Sequence, residues 1–143
     1  METNVLENSV GYELKRAQHA LRLRVDEALK RVGLTTPQYA ALSVLEASPG
    51  ISGAELARRS FVTPQTMNAI VSKLESASLI SRVADPTHGR VLQAYVAEEG
   101  KKLLSGAHRS VRNVEDHMLA GLNAAEKQRL LEALRRCTGS LEE

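Results

Sequence analysis

Residues 63–76, TPQTMNAIVSKLES, decide how this chain is read. Thr63 suits a helix cap, and Pro64 suits the first turn, where its missing N–H leaves no bond unmade. Met67, Ile70, Val71 and Leu74 recur at helical spacing and form one narrow apolar face. The other side carries Gln65, Asn68, Ala69, Ser72, Lys73 and Ser76, all small or polar. A helix entering a DNA major groove needs this division, one face anchored in the protein and one free of bulk. Gln65 and Asn68 can pair with base edges. Thr66 and Ser72 can reach bases or phosphates, Ala69 can touch a thymine methyl, and Lys73 can neutralise a phosphate or approach guanine. The same pattern also suits an ordinary amphipathic helix with a solvated face, so the neighbouring segments must decide.

Just upstream, ISGAELARRS (51–60) places Ser52 and Glu55 at capping-box spacing, which predicts a short helix with Leu56 inward, ending near Ser60. Before it, LTTPQYAALSVLEASPG (34–50) predicts another helix, with Thr36 as cap, Pro37 in the first turn and Leu42 and Leu45 buried. Ser48, Pro49 and Gly50 break it. Just downstream, ISRVAD and VLQAYVA read as two short strands, joined by PTHGR with Pro86 and Gly89 as turn residues. Three helices and a hairpin in residues 34–97 make a winged helix-turn-helix. Thr63 and Arg82 are candidates for phosphate contacts. Arg90, at the hairpin tip, could enter a minor groove; equally it could be a surface arginine paired with Asp85.

Long helices flank this unit. Val10, Leu14, Ala17, Leu21, Val25, Ala28 and Val32 form one stripe that predicts burial, and Gly33 ends it. Leu104, Ala107, Val111, Val114 and Met118 form another over 98–119. Asn123 and Glu126 cap a last helix with Leu130, Leu134, Cys137 and Leu141 inward. The fold class is therefore mainly α with a small β-hairpin. A winged domain closes without these outer helices, so residues 1–33 and 98–143 are expected to be dimerisation helices. The core of a monomer is the other use for their stripes.

Composition narrows the classes further. The 143 residues are 43% hydrophobic, enough for a folded domain. No run approaches the length of a membrane span, and METNVLENSVGYELKR is not a secretion signal. A single cysteine, Cys137, allows no intrachain disulfide and agrees with a cytoplasmic setting. Net charge is only +2, but residues 52–97 hold five basic against three acidic side chains, which accounts for the excess. There is no phosphate-binding glycine loop and no nucleophile motif, so no enzyme is expected and no cofactor is implied.

The stretch from Ser52 to Gly100 resembles the core of the multiple-antibiotic-resistance regulator (MarR) family, including its wing: Asp85, a short turn, Arg90, a strand, then Glu98-Glu99-Gly100. The flanking helices match in length and order, so the resemblance covers nearly the whole chain. It implies a homodimer with interlocked terminal helices and two wings reading a pseudo-palindrome in double-stranded DNA. It also implies a repressor, often released by a small aromatic or anionic ligand or by oxidation. Two positions depart from the pattern. His88 stands where an acidic residue is common, which could make the tip sensitive to pH or could be an exposed histidine without a role. Ala97 replaces a capping threonine, so the helix at 98 should start less firmly.

In this family small ligands sit between winged domain and dimer helices. His19 and Arg22 share a helix face and with Tyr39 could line such a cleft, Arg22 taking a carboxylate. They could equally be half-exposed helix residues. His19, His88, His108 and His117 have no i, i+4 pair, so no metal is expected. Two alternatives remain: a winged module that binds proteins without specific DNA binding, and a thiol sensor acting through Cys137. The family's sensing cysteine lies near the N-terminus, where this chain has none, and Cys137 reads as a packed thiol.

Overall fold

The computed structural model describes residues 5–85, 87 and 92–142. In chain order the elements are α1 (Val10–Val32), α2 (Thr36–Ala47), α3 (Gly53–Arg59), α4 (Pro64–Ser76), β1 (Ile80–Ala84), β2 (Leu92–Val96), α5 (Glu98–Met118) and α6 (Ala124–Leu141). This is the expected order. The two strands pair antiparallel from Ile80↔Val96 to Ala84↔Leu92.

Most helix starts sit where local sequence put them. Thr63 Oγ1 accepts from the Thr66 N–H at 3.1 Å, Ser52 Oγ from the Glu55 N–H at 3.1 Å, and Asn123 and Glu126 close a full capping box. Two caps differ from expectation. Thr35, not Thr36, caps α2, with Gln38 completing the box, and Thr36 is left free to hydrogen-bond Asp26 on α1. At α3 only half of the expected box forms, because the Glu55 carboxylate turns to Arg58 instead of the cap backbone. Ala97 precedes α5 without a side-chain cap, as its methyl dictates.

Three helices end in the same left-handed device, in which a residue one or two places past the helix and its successor donate back to the last turn. Gly33 (φ 92°) does this for α1, Phe61 (φ 58°) for α3 and Ser78 (φ 61°) for α4. Only Gly33 has the residue type that takes this conformation without a side-chain penalty.

The core gathers from every element except α6. Leu42 and Leu45 of α2, Leu56 of α3, Met67 and Leu74 of α4, Leu29 of α1 and Leu104 of α5 are the large side chains fully removed from water. Val25 and Leu29, in the C-terminal half of α1, and Leu104 and Ala107 of α5 thus belong to one core with the winged unit. Gly100 makes the junction tight. A Cβ there would lie 2.1 Å from the Leu79 carbonyl oxygen, just before β1. The Ala97 N–H donates to that same oxygen at 2.9 Å.

The outer stripes behave differently from the expectation of burial. Val10, Leu14 and Ala17 on α1 and Met118 on α5 are exposed in the single chain. On α6 no residue is buried, and Leu130, Leu134, Cys137 and Leu141 all face water, which corrects their reading as inward residues. For α6 the reason is that no other element among the described residues covers its apolar stripe. No helix among the described residues is long and apolar enough to cross a membrane.

Candidate nucleic-acid interface

α4 is held by three buried side chains, Met67, Val71 and Leu74, against the rest of the core. Ile70 is half-buried at the edge of that face. Gln65, Thr66, Asn68, Ala69, Ser72 and Lys73 are all exposed. The side chains of Gln65, Asn68, Ser72 and Lys73 make no hydrogen bond or ion pair with any described residue. A row of unspent donors and acceptors on a rigid helix can therefore be offered whole to another molecule. Exposed lysines commonly pair with a neighbouring carboxylate on the next turn; Lys73 does not.

The first turn is more committed. Thr63 Oγ1 accepts from the Thr66 N–H and donates to Thr66 Oγ1 at 3.0 Å. Its hydroxyl is thus used inside the helix, and a phosphate at this end would meet the open helix N-terminus, where the dipole favours anions. Arg82 is also engaged. Its guanidinium lies 3.6 Å from the Glu75 carboxylate and is mostly screened from water, which ties β1 to the end of α4. Its Nε has no hydrogen bond among the described residues. On α3, Arg58 pairs with Glu55, and Arg59 donates to Ser48 Oγ at 2.7 Å. The Arg58 guanidinium holds the Glu55 carboxyl below its usual range. In the wing, Asp85 accepts from the Thr87 N–H at 2.8 Å and the Thr87 hydroxyl at 2.6 Å. Arg90 and His88 lie outside the described residues.

His19, Arg22 and Tyr39 do not form one cluster. His19 is exposed on α1. Arg22 Nε donates to Asp26 at 3.0 Å, and Asp26 also accepts from the Thr36 hydroxyl. That Thr36 bond, with help from Arg22, holds the Asp26 carboxyl below its usual value. Tyr39 belongs to another arrangement. Its hydroxyl meets His108 Nδ1 at 2.7 Å, and His108 Nε2 meets Glu46 at 2.9 Å. The two rings are edge-to-face, with centroids 5.4 Å apart. Burial pushes the Tyr39 phenol up. This Tyr39–His108–Glu46 chain links α2 to α5 across 69 and 62 residues of sequence, and sequence reasoning missed it.

A cleft of about 600 Å³ lies elsewhere, between α1 and α5. Ala17, Leu21, Val114 and Met118 make it mostly apolar, while Arg24 and His117 add polar edges. None of His19, Arg22 and Tyr39 lines it. No group of three or more His, Cys, Asp or Glu side chains among the described residues is placed to hold a metal.

Comparison with known proteins agrees with this architecture. The family model of the MarR family matches residues 32–91, from the end of α1 to the residue before β2. A curated relative, the HTH-type transcriptional repressor Rv2887 of Mycobacterium tuberculosis, is 41% identical over 128 residues, 87% of this chain and 92% of the relative. The solved structure of Rv2887 in complex with salicylic acid superposes with a TM-score of 0.76 at 39% identity, covering 90% of this chain and 96% of that one. Its complex with DNA superposes with a TM-score of 0.76 at 36% identity, covering 90% and 97%. With this identity over 87% of its length, and with most of the winged unit matched by the family's own model, the chain belongs to the MarR family.

Proposed function

We propose that this protein is a homodimeric transcriptional repressor that binds a pseudo-palindromic site in double-stranded DNA and is released by a small aromatic or anionic ligand. The observation that carries the reading is the outer face of α4, six exposed positions of which four polar side chains have no partner among the described residues. Rv2887, which shares the fold and 41% of its residues, has been solved with DNA and with salicylic acid. Gln65, Thr66, Asn68, Ala69, Ser72 and Lys73 are assigned to the major groove, and Arg90 with His88 to the wing contact in the minor groove. Thr63 and Arg82 are assigned to phosphates, Thr63 by fixing the helix N-terminus and Arg82 by leaving its partner Glu75 when the duplex arrives. The assigned roles need no catalytic group, and they put the protein in the cytoplasm with its DNA.

The division of labour follows the exposed apolar residues. Of thirteen large hydrophobic side chains exposed among the described residues, eleven lie in 1–33 and 98–143. A second copy supplies what covers them, so these segments dimerise while 34–97 reads DNA. The division is one of role, because the core runs through both. For the ligand, Arg22 is the assigned carboxylate partner; His19 stands exposed on the same helix, and Tyr39 would join only by leaving its link to His108. An incoming carboxylate would displace Asp26 from Arg22 and so loosen the Asp26–Thr36 tie between α1 and α2.

The test is a fluorescence titration of a duplex selected by the protein from a random pool, repeated at several salt concentrations and with salicylate. Affinity is expected to fall steeply with salt, as released counterions require, and salicylate to lower it further. A flat salt response would mean that α4 faces a protein partner instead.

A further inference from the structure

Phe61 occupies a position that neither folding nor dimerisation explains. It follows Ser60 at the end of α3, where its N–H donates to the Arg58 carbonyl at 3.2 Å and the Val62 N–H to the Ala57 carbonyl at 3.1 Å. That device needs a left-handed residue, and Phe61 adopts φ 58°. Glycine takes this conformation freely and asparagine takes it more easily than an aromatic residue does. The same chain uses glycine for the same purpose at Gly33. The ring offers no packing in return, since Phe61 is 95% exposed. An aromatic side chain held in an unfavourable backbone state and kept in water points to a contact made outside the chain.

Its location selects the contact. Phe61 and Val83 are the two large exposed hydrophobics of the winged unit among the described residues, whereas the others lie on the terminal segments. Phe61 sits two residues before Thr63, the cap of α4, at the end of the helix where Gln65 and Thr66 are exposed. In a helix-turn-helix the N-terminal end of the second helix approaches the base edges. The apolar group a major groove presents there is the C5-methyl of thymine, a known partner of phenylalanine rings.

We propose that Phe61 is a DNA-contacting residue whose ring packs on a thymine methyl beside the N-terminus of α4, adding a base preference to the polar face of that helix. The inference rests on the DNA-binding reading above. It explains why the turn keeps an aromatic residue where glycine would fold more easily.

The test uses Phe61→Gly and Phe61→Asn in the full-length protein, with a duplex selected by the wild type from a random pool. Both variants are expected to be as stable to heat as the wild type or more so, because strain is relieved. Both should nevertheless bind the duplex about tenfold more weakly, the scale of one lost base contact. Deoxyuridine is then placed for thymine one site at a time, which removes only the methyl. One position in each half-site should weaken the wild type several-fold and leave the variants unchanged. Equal affinity of wild type and variants, or the same uridine profile for all three, overturns the proposal while the DNA-binding reading stands. A wild-type protein that selects no duplex at all removes that reading, and this inference with it.

Discussion

α4 and α6 are both amphipathic helices with capped starts, and they spend their two faces in opposite ways. α4 buries Met67, Val71 and Leu74 within its own chain and leaves a polar face open. α6 buries nothing and leaves Leu130, Leu131 and Leu134 in water. Uncovered polar groups cost nothing in water, so the open face of α4 is stable as it stands and waits for an optional partner. Uncovered leucines on one stripe lose roughly 25 cal/mol for each Å² left wet, so the open face of α6 calls for an obligatory one. Exposure by itself therefore says little; what is exposed distinguishes a reading surface from an assembly surface.

The largest effects should come from the buried side of this contrast. Leu74→Ala, in a fully buried position, is expected to cost about 2–5 kcal/mol in denaturant unfolding. Gly100→Ala should be comparably harmful, because its methyl meets a backbone oxygen that cannot step aside. Leu134→Arg should act on assembly instead. Sedimentation should show loss of the dimer, and the midpoint of thermal unfolding should lose its dependence on protein concentration. A Leu134→Arg protein that remains dimeric would show that α6 is not part of the interface.

Changes on the open face of α4 come next. Lys73→Ala should leave stability within about 0.5 kcal/mol of wild type. It should weaken DNA binding and reduce the salt slope by about one, as loss of a phosphate contact does. Arg90→Ala should cost about 1–3 kcal/mol of specific affinity without unfolding the protein. Unchanged affinity in that variant at physiological salt would take the wing out of the recognition.

The smallest effect concerns the tie between α1 and α2. The Thr36 hydroxyl holds the Asp26 carboxyl below its usual 3.8. A carboxyl depressed in the folded state adds stability above its unfolded value, and that stability is lost as pH falls through the lower folded value. Thr36→Val removes the bond. Wild type should exceed the variant in urea stability at pH 6, and the gap should close as pH drops below about 3.8. A gap that stays constant down to pH 3 would mean that the hydroxyl contributes only packing.

The parts of this molecule legible in sequence are those fixed by residues three or four apart. Thr63 with Thr66, Asn123 with Glu126 and Gly33 after α1 announce themselves because helix caps are local. The cap at α2 was misplaced by one residue because Thr35 and Thr36 are adjacent and chemically alike; the choice is made by Asp26, ten residues upstream, which takes Thr36. The face of α4 was legible for the same local reason. The Tyr39–His108–Glu46 chain was not, since nothing near His108 in sequence hints at partners on α2. Nor was the pairing of Arg82 with Glu75, which depends on how β1 returns past α4. The periodicity of α6 was read correctly as a stripe, but periodicity cannot say whether the surface that covers it comes from the same chain.

In the proposed dimer two copies of α4 present their open faces to one duplex at a fixed separation. Hydroxyl-radical footprinting of the protein on its selected duplex tests it most directly. The account predicts two protected patches on one side of the DNA, spaced by about one helical turn or a whole multiple of it. A single patch, or two patches on opposite sides of the duplex, would contradict it.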